Sequence, residues 1–275
     1  FYKQTPGNAL FWKKSSKSYS SWIDLTIGFS RNQHSNFFNL QRKQGNMAIY
    51  LDTGNLSEIE TFHKMGIIRG VTTNPSILLR EGVTGGMDGI RERTQQIAEM
   101  IVPLPLSVEV TSNDRYEMID QAEKFCDWAD NINVKITIHG PQGETENLEV
   151  IHELEKQKNI RVNVTAMMSA QQCFLAAMAG ATWVSIFGGR VNNMGYNSCG
   201  EITRLRKLLD QFELPAKIIV GSTREILNIT EWLEAGAHIV TVTPALLKGM
   251  IVHPYSKETV QMFLRDAEKV NEIAE

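Results

Sequence analysis

The chain has 275 residues and a net charge of −3, with hydrophobic residues at 42% and charged residues at 21%. No apolar run approaches the roughly 18 residues of a membrane span, eight prolines in the whole chain speak against a disordered protein, and the slight negative charge leaves no footprint for nucleic acid. Cys126, Cys173 and Cys199 are odd in number and widely spaced. They fit a reducing, cytoplasmic setting better than a disulfide frame or a zinc ribbon.

The charge is unevenly spread. Residues 1–46 carry seven basic side chains (Lys3, Lys13, Lys14, Lys17, Arg31, Arg42 and Lys43) against Asp24 alone, a net +6 that leaves −9 for residues 47–275. Nine aromatics fall in this segment without helical or strand periodicity, and the first methionine is Met47. A basic, serine-rich, acid-poor stretch fits a transit-type leader. Sequence upstream of a start at Met47 fits better, because the chain opens on Phe1. In either case residues 1–46 are expected to be a disordered extension outside the fold, and 47–275 the folded domain.

From Met47 onward the pattern alternates. Runs rich in β-branched residues are expected as strands at 48–52, 70–74, 106–111, 132–138, 161–167, 182–187, 217–221 and 238–243. Helical periodicity falls between them at 57–65, 87–101, 114–127, 145–157, 169–179, 200–212 and 223–235, with a last helix at 256–273. Strands that alternate with helices predict an α/β fold with a parallel sheet and right-handed crossovers. Eight such units in this length predict a single (β/α)8 TIM barrel. A doubly wound open sheet is the alternative, but no GxGxxG or GxxxxGK[ST] follows the first strand.

Strands covered on both faces should read as continuous apolar runs, and several here do not. Ser107, Glu109 and Thr111 alternate with Val108 and Val110. Asn133, Lys135 and Thr137 alternate with Val134, Ile136 and Ile138. Asn163 and Thr165 alternate with Val162 and Val164, and Ser185 lies between Val184 and Ile186. Side chains two apart share a face, so the polar set converges inside the barrel while the apolar set packs under helices. A half-exposed antiparallel sheet would give the same alternation, but the intervening helices argue against it. Lys135 stands out: a mid-strand lysine with both faces covered cannot easily reach water. It is either half of a buried ion pair with Glu109 or Asp52, or an amine that burial biases towards its neutral, nucleophilic form, suited to a Schiff base with a carbonyl substrate.

The motifs that surround Lys135 resemble those of the transaldolase family of class I aldolases, across essentially all of 47–275. They are Tyr50-Leu51-Asp52-Thr53, Gly70-Val71-Thr72-Thr73-Asn74-Pro75-Ser76, Ser107-Val108-Glu109-Val110, Val134-Lys135-Ile136, Asn163-Val164-Thr165, Ser185-Ile186-Phe187-Gly188-Gly189-Arg190 and Gly221-Ser222-Thr223-Arg224. The resemblance implies a Schiff base on Lys135, acid/base work by Asp52 and a catalytic water on Glu109 and Thr165. It also implies substrate hydroxyls on Asn74 and Asn163, and a phosphate held by Ser185, Arg190, Ser222 and Arg224.

Each role also has a physical case. Carbinolamine formation and dehydration need proton transfers, so a carboxylate belongs beside the amine. Arg190 follows two glycines that let backbone N–H groups approach an anion. Ser222 sits where the seventh helix is expected to begin, as a possible N-cap as well as an anion ligand. The chain departs from the family pattern after the lysine (Thr137-Ile138-His139-Gly140-Pro141), after Thr165 (Ala166-Met167-Met168) and after Arg190 (Val191-Asn192-Asn193). These departures bear on sugar specificity rather than on the Schiff base.

The function implied is transfer of a dihydroxyacetone unit from sedoheptulose 7-phosphate or fructose 6-phosphate to an aldose phosphate. An aldolase that releases free dihydroxyacetone from fructose 6-phosphate is the near alternative, although such aldolases carry Gln where this chain has Glu109. A non-catalytic sugar-phosphate barrel has no use for a buried amine. A metal aldolase would need clustered histidines, whereas His63, His139, His152, His238 and His253 are scattered. No metal or other cofactor is expected. Expected partners are phosphorylated sugars and further copies of the chain, through the apolar Val260, Phe263, Leu264 and Val270 of the last helix, with no nucleic acid or membrane.

Overall fold

Eight short strands, β1 Ile49–Asp52, β2 Val71–Thr72, β3 Leu106–Glu109, β4 Ile132–Thr137, β5 Val162–Met167, β6 Trp183–Ile186, β7 Lys217–Val220 and β8 Ile239–Val242, pair in parallel in chain order and close into a barrel. The last ladder, Ile49↔Val240 to Leu51↔Val242, joins β8 to β1. This is the TIM barrel expected, in a computed structural model that describes residues 47–273. Residues 1–46, read above as an extension, lie outside the described residues. Strand limits fall within one or two residues of the expected ones, with β2, two residues against the five expected, shortened most.

The alternation in the sequence becomes two faces. Leu51, Val71, Val108, Val134, Ile136, Val164, Ile186, Val220 and Val242 point outward into the main core beneath the helices. The inward residues stack in layers supplied by alternate strands, as barrels of this kind do. From the observed register, the lowest layer holds Gly70, Asn133, Trp183 and Ile239, and the next Tyr50, Ser107, Asn163 and Ile219. Above them come Thr72, Lys135, Ser185 and Thr241, and then Asp52, Glu109, Thr165 and Gly221. Tyr50, Trp183, Ile219 and Ile239 form a separate apolar plug at the bottom. Gly70 must lack a side chain there, since a Cβ would lie 2.6 Å from the Tyr50 ring.

Seven expected helices are present: α1 Leu56–Lys64, α3 Gly86–Ile101, α4 Arg115–Trp128, α5 Asn147–Lys156, α6 Ala170–Ala179, α8 Ser198–Gln211 and α9 Ile226–Glu234. Three others were not expected: α2 Pro75–Arg80, α7 Gly188–Asn193 and α10 Pro244–Ile251. All are short and open at proline or glycine, so they carry little periodicity. Two readings change in consequence. α10 supplies the eighth barrel helix, and the expected last helix, α11 Pro254–Ile273, follows it as an addition whose described side chains are exposed. Moreover, α9 begins at Ile226 with Glu225 before it, so Ser222 is not its N-cap but a loop residue with φ +59°.

Candidate active site

The polar layers open at the C-terminal ends of the strands into a cavity of about 260 Å³. Asp52, Asn74, Lys135, Asn163, Thr165, Ser185, Arg190, Ser222 and Arg224 all line it. Glu109 is not on its wall but stands beside Lys135, with Oε2 3.0 Å from Nζ. The ion-pair reading of Lys135 is therefore met in geometry, with Glu109 as the partner. It does not exclude the nucleophile, because the same contact would give a nucleophilic amine a path for its proton. Lys135 is 6% exposed, and Nζ also donates to the Thr73 carbonyl at 2.8 Å.

Asp52 ends β1 at the height of Glu109. Burial pushes its carboxyl above the usual carboxylate range; the Thr72 hydrogen bond and the charges of Lys135 and Arg80 act the other way. Thr72 Oγ1 donates to Asp52 Oδ1 at 2.6 Å. A carboxyl in a cavity shared with an amine is placed to take and return a proton.

Across the barrel, Asn163 spans two neighbours. Its Nδ2 donates to Ser107 Oγ at 3.2 Å, and its Oδ1 accepts from Ser185 Oγ at 2.6 Å. Thr165 Oγ1 is buried with no protein partner. The β5–β6 register shifts just after it, between Val164 and Met167, and Ala166 takes φ +60° there. Such a bulge re-aims the side chains beside it. Asn74 caps α2: its Oδ1 accepts from Ile77 N at 2.9 Å, with Pro75 in the first turn, a combination suited to a helix start. The cap occupies the amide oxygen and leaves the amide nitrogen for a ligand.

The rim is cationic. Arg190 lies in α7, its guanidinium carbon 5.1 Å from the Phe187 ring centroid. Arg224 lies in the loop after β7, and the two loops touch at Gly189, where a Cβ would fall 1.8 Å from the Ser222 carbonyl oxygen and 3.0 Å from Arg224 Cγ. Only glycine lets the β6 and β7 loops approach this closely, and that approach gathers Arg190, Ser222 and Arg224 into one corner. Arg80, at the end of α2, lines the cavity from the β2 side; its nearest carboxylate is Glu81 at 4.0 Å. The wall thus holds Lys135 and three arginines against Asp52, in a chain of net negative charge. That charge contrast concentrates anions.

Arg80, Thr72, Thr241 and Phe187 line the cavity without having been singled out. Thr72 and Phe187 lie inside the quoted motifs, and Thr241 was legible only as a period-two polar position. A larger groove of about 720 Å³ lies alongside, lined by Met168, Met194, Tyr196 and others, and shares Arg190. It lacks an amine beside a carboxylate, so the smaller cavity is the candidate site. His139 is exposed, and its ring bonds the Gly140 carbonyl at 2.7 Å. Among the described residues no group of three or more His, Cys, Asp or Glu stands where it could hold a metal, and no helix is long and apolar enough to cross a membrane.

Residues 49–275 match the family described as Transaldolase/Fructose-6-phosphate aldolase. A "Probable transaldolase" of Exiguobacterium sibiricum is 34% identical over 226 residues, 82% of this chain and 100% of the relative. A "Probable transaldolase 2" of Listeria monocytogenes is 37% identical over 81% of this chain and 96% of its own. Among solved structures, thiamine phosphate pyrophosphorylase from Pyrococcus furiosus superposes with a TM-score of 0.52 at 10% identity, over 72% of this chain and 86% of that one. That likeness concerns the fold alone.

Proposed function

The chain belongs to the transaldolase/fructose-6-phosphate aldolase family of enzymes, and we propose that it moves a dihydroxyacetone unit from a ketose phosphate, sedoheptulose 7-phosphate or fructose 6-phosphate, to an aldose phosphate. The observation that carries the reading is a buried amine, Lys135, 3.0 Å from a carboxylate, in a cavity shared with a second carboxylate and rimmed by Arg190 and Arg224.

Lys135 Nζ, its proton passed to Glu109, attacks the C2 carbonyl of the donor. The carbinolamine loses water to give an iminium ion. Glu109 supplies and removes the protons, and the Thr165 hydroxyl, which has no protein partner, holds the water. Asp52 then takes the proton of the C4 hydroxyl as the C3–C4 bond breaks. The aldose phosphate leaves, and the bonding pair stays on the three-carbon unit as an enamine on Lys135. An incoming aldose phosphate is attacked through its carbonyl carbon, Asp52 returns the proton, and water frees the new ketose. Asn74 and Asn163 hold the hydroxyls of the three-carbon unit; Ser185, expected with the phosphate, instead lies in the layer of Lys135 and donates to Asn163, so we place it with them. Arg190, Arg224 and Ser222 hold the phosphate, each arginine through charge-assisted bonds. One phosphate corner serves donor and acceptor alike, because the acceptor takes the place of the departed aldose.

The same reading includes self-association. Val260, Phe263 and Leu264 recur at helical spacing on α11, all are exposed, and a second copy is the partner we infer for that face.

Borohydride added with fructose 6-phosphate should reduce the iminium ion to a stable amine on Lys135, located by peptide mass mapping. Lys135→Met should abolish both adduct and turnover, by at least about a thousandfold for loss of a covalent nucleophile. An adduct on another lysine would overturn the assignment. Product analysis with and without an aldose phosphate then separates transfer from release. Equal cleavage of fructose 6-phosphate without acceptor would make the enzyme an aldolase.

A further inference from the structure

We propose that Thr241 is a positioning residue: through the Thr72 hydroxyl it holds the Asp52 carboxylate in place, and through its own carbonyl it ties that carboxylate to the loop that carries Ser222 and Arg224. The proposal rests on the reading of Asp52 as the acid/base and goes beyond it by naming what keeps Asp52 aimed.

The register explains why these residues meet. β1 lies between β2 and β8 in the closed sheet. Thr72 and Thr241 belong to the layer directly beneath Asp52 and flank it from either side. Thr72 Oγ1 donates to Asp52 Oδ1 at 2.6 Å, and the Thr72 and Thr241 hydroxyl oxygens are 2.5 Å apart. With Asp52 in the ionised form that acts as base, proton counting fixes the direction of the chain. An ionised carboxylate only accepts, and each hydroxyl has one proton to give. The Thr72 proton is committed to Asp52, so the Thr241 proton fills the second contact. A hydroxyl that accepts while it donates is a stronger donor. Thr241 therefore locks the Thr72 rotor and strengthens its bond to Asp52.

The other end of the link is the backbone. Thr223 Oγ1 donates to the Thr241 carbonyl at 2.8 Å, and Thr223 stands between Ser222 and Arg224. Thr72, Thr223 and Thr241 are all buried, at 3%, 8% and 7% exposure, so water does not compete freely for these bonds. One residue on β8 thus touches both the acid/base side and the anion side of the cavity. The charged groups that act on Asp52 are Lys135 on β4, Arg80 on α2 and Glu109 on β3. None of them bonds Thr241, so a change caused by losing its hydroxyl reports on this chain of bonds.

The alternative is that Thr241 merely fills space. Thr241→Val keeps the shape and removes only the hydroxyl, and Thr241→Ser keeps the hydroxyl and removes a methyl. In the full chain, Thr241→Val should slow cleavage of fructose 6-phosphate by about tenfold, part of what acid/base catalysis contributes. The acid limb of its pH profile should move to higher pH, because Asp52 must be ionised to act as base and has lost support for its charge. Thr241→Ser should restore both. Trapping of free dihydroxyacetone on Lys135 by borohydride needs no carbon–carbon cleavage and should be unchanged in Thr241→Val. Thr223→Val should instead raise KM for the phosphorylated donor more than it lowers kcat.

A Thr241→Val enzyme with unaltered kcat and acid limb, or one that Ser does not rescue, would overturn the proposal. If Thr241→Val does not fold, Thr72→Val breaks the same chain one bond nearer Asp52 and must show the same displaced limb. Failure of the unsubstituted enzyme to trap dihydroxyacetone at all would refute the Schiff-base reading itself, which separates the two outcomes.

Discussion

The two ends of the barrel interior are built from the same strands in the same register, yet they do opposite things. At the bottom, Tyr50, Trp183, Ile219 and Ile239 pack into an apolar plug. One to three layers higher, Thr72, Lys135, Ser185, Asp52, Glu109 and Thr165 leave charges and hydroxyls facing one another. A strand changes character within two or three residues: Trp183 is plug and Ser185 is site, Tyr50 is plug and Asp52 is site. Buried charge seldom adds stability, so the upper layers load the fold and the lower ones carry it. Damage at the bottom should therefore cost stability and spare chemistry, and damage at the top should do the reverse.

The largest effect tests the plug. Trp183 is 3% exposed, and Trp183→Ala should lower the unfolding free energy by about 3–5 kcal/mol, as large aromatic truncations do. Well below its lowered melting temperature, the folded fraction should still trap dihydroxyacetone on Lys135. The indole N–H has no protein partner, so Trp183→Phe keeps the ring, removes an unpaired donor and should cost much less. Urea titration with trapping on the same samples measures both quantities. A Trp183→Ala protein that stays as stable as the parent would dissolve the distinction between the two halves.

The rim gives the second test. Arg190→Ala or Arg224→Ala removes a charge-assisted contact of about 1.5–3 kcal/mol. KM for fructose 6-phosphate should rise roughly tenfold or more, since about 1.4 kcal/mol is tenfold. Trapping of unphosphorylated dihydroxyacetone should barely move, and neither should the melting temperature. Equal losses for both substrates would show that the arginines do not serve the phosphate.

This division also explains what the sequence alone could and could not reveal. The eight alternations of β-branched runs with helical patterns exposed the barrel, and the period-two alternation of Asn133, Lys135 and Thr137 with Val134, Ile136 and Ile138 exposed its polar interior, because side-chain period and strand geometry coincide. Asp52, Lys135 and Arg190 were legible because charge is conspicuous in a strand or just after one. Thr72 and Thr241 were not, since threonine is an ordinary β-branched strand residue and only the three-dimensional register shows two of them flanking Asp52. Arg80 was hidden at the end of α2, a six-residue helix too short to show periodicity. For Ser222 the cap reading, offered beside that of an anion ligand, fails; it arose because a serine before a helical pattern is a strong local signal. The actual helix begins at Ile226, after a loop held by the Gly189 contact from a different βα unit.

The smallest effect concerns the bottom edge, where β7 and β8 are joined by a histidine far from the cavity. His238 Nδ1 accepts from the Ile218 backbone N–H at 3.0 Å, and Nε2 faces Arg206 at 3.4 Å. Because Nδ1 accepts, the neutral ring carries its proton on Nε2, and the longer contact, with Arg206, cannot be a good hydrogen bond. Burial, and then the charges of Lys217 and Arg206, push the imidazole down to about 4, with Asp210 acting the other way. The sign follows directly. The unfolded chain takes up a proton at this residue below about pH 6.5, while the native ring refuses it until about pH 4. The contribution of His238 to stability is therefore complete above pH 6.5, falls as the pH drops from 6.5 towards 4, and changes no further below that. The ring is partly exposed, so screening trims the effect to about 1–2 kcal/mol. Carboxylates titrate in the same window, so the informative quantity is a difference: between pH 7 and pH 4.5 the parent should lose more stability than His238→Gln, which keeps a polar side chain but does not titrate. Parallel losses in the two proteins would mean that the Ile218–His238 link survives protonation, and that the bottom of the barrel is less dependent on that one contact than its geometry indicates.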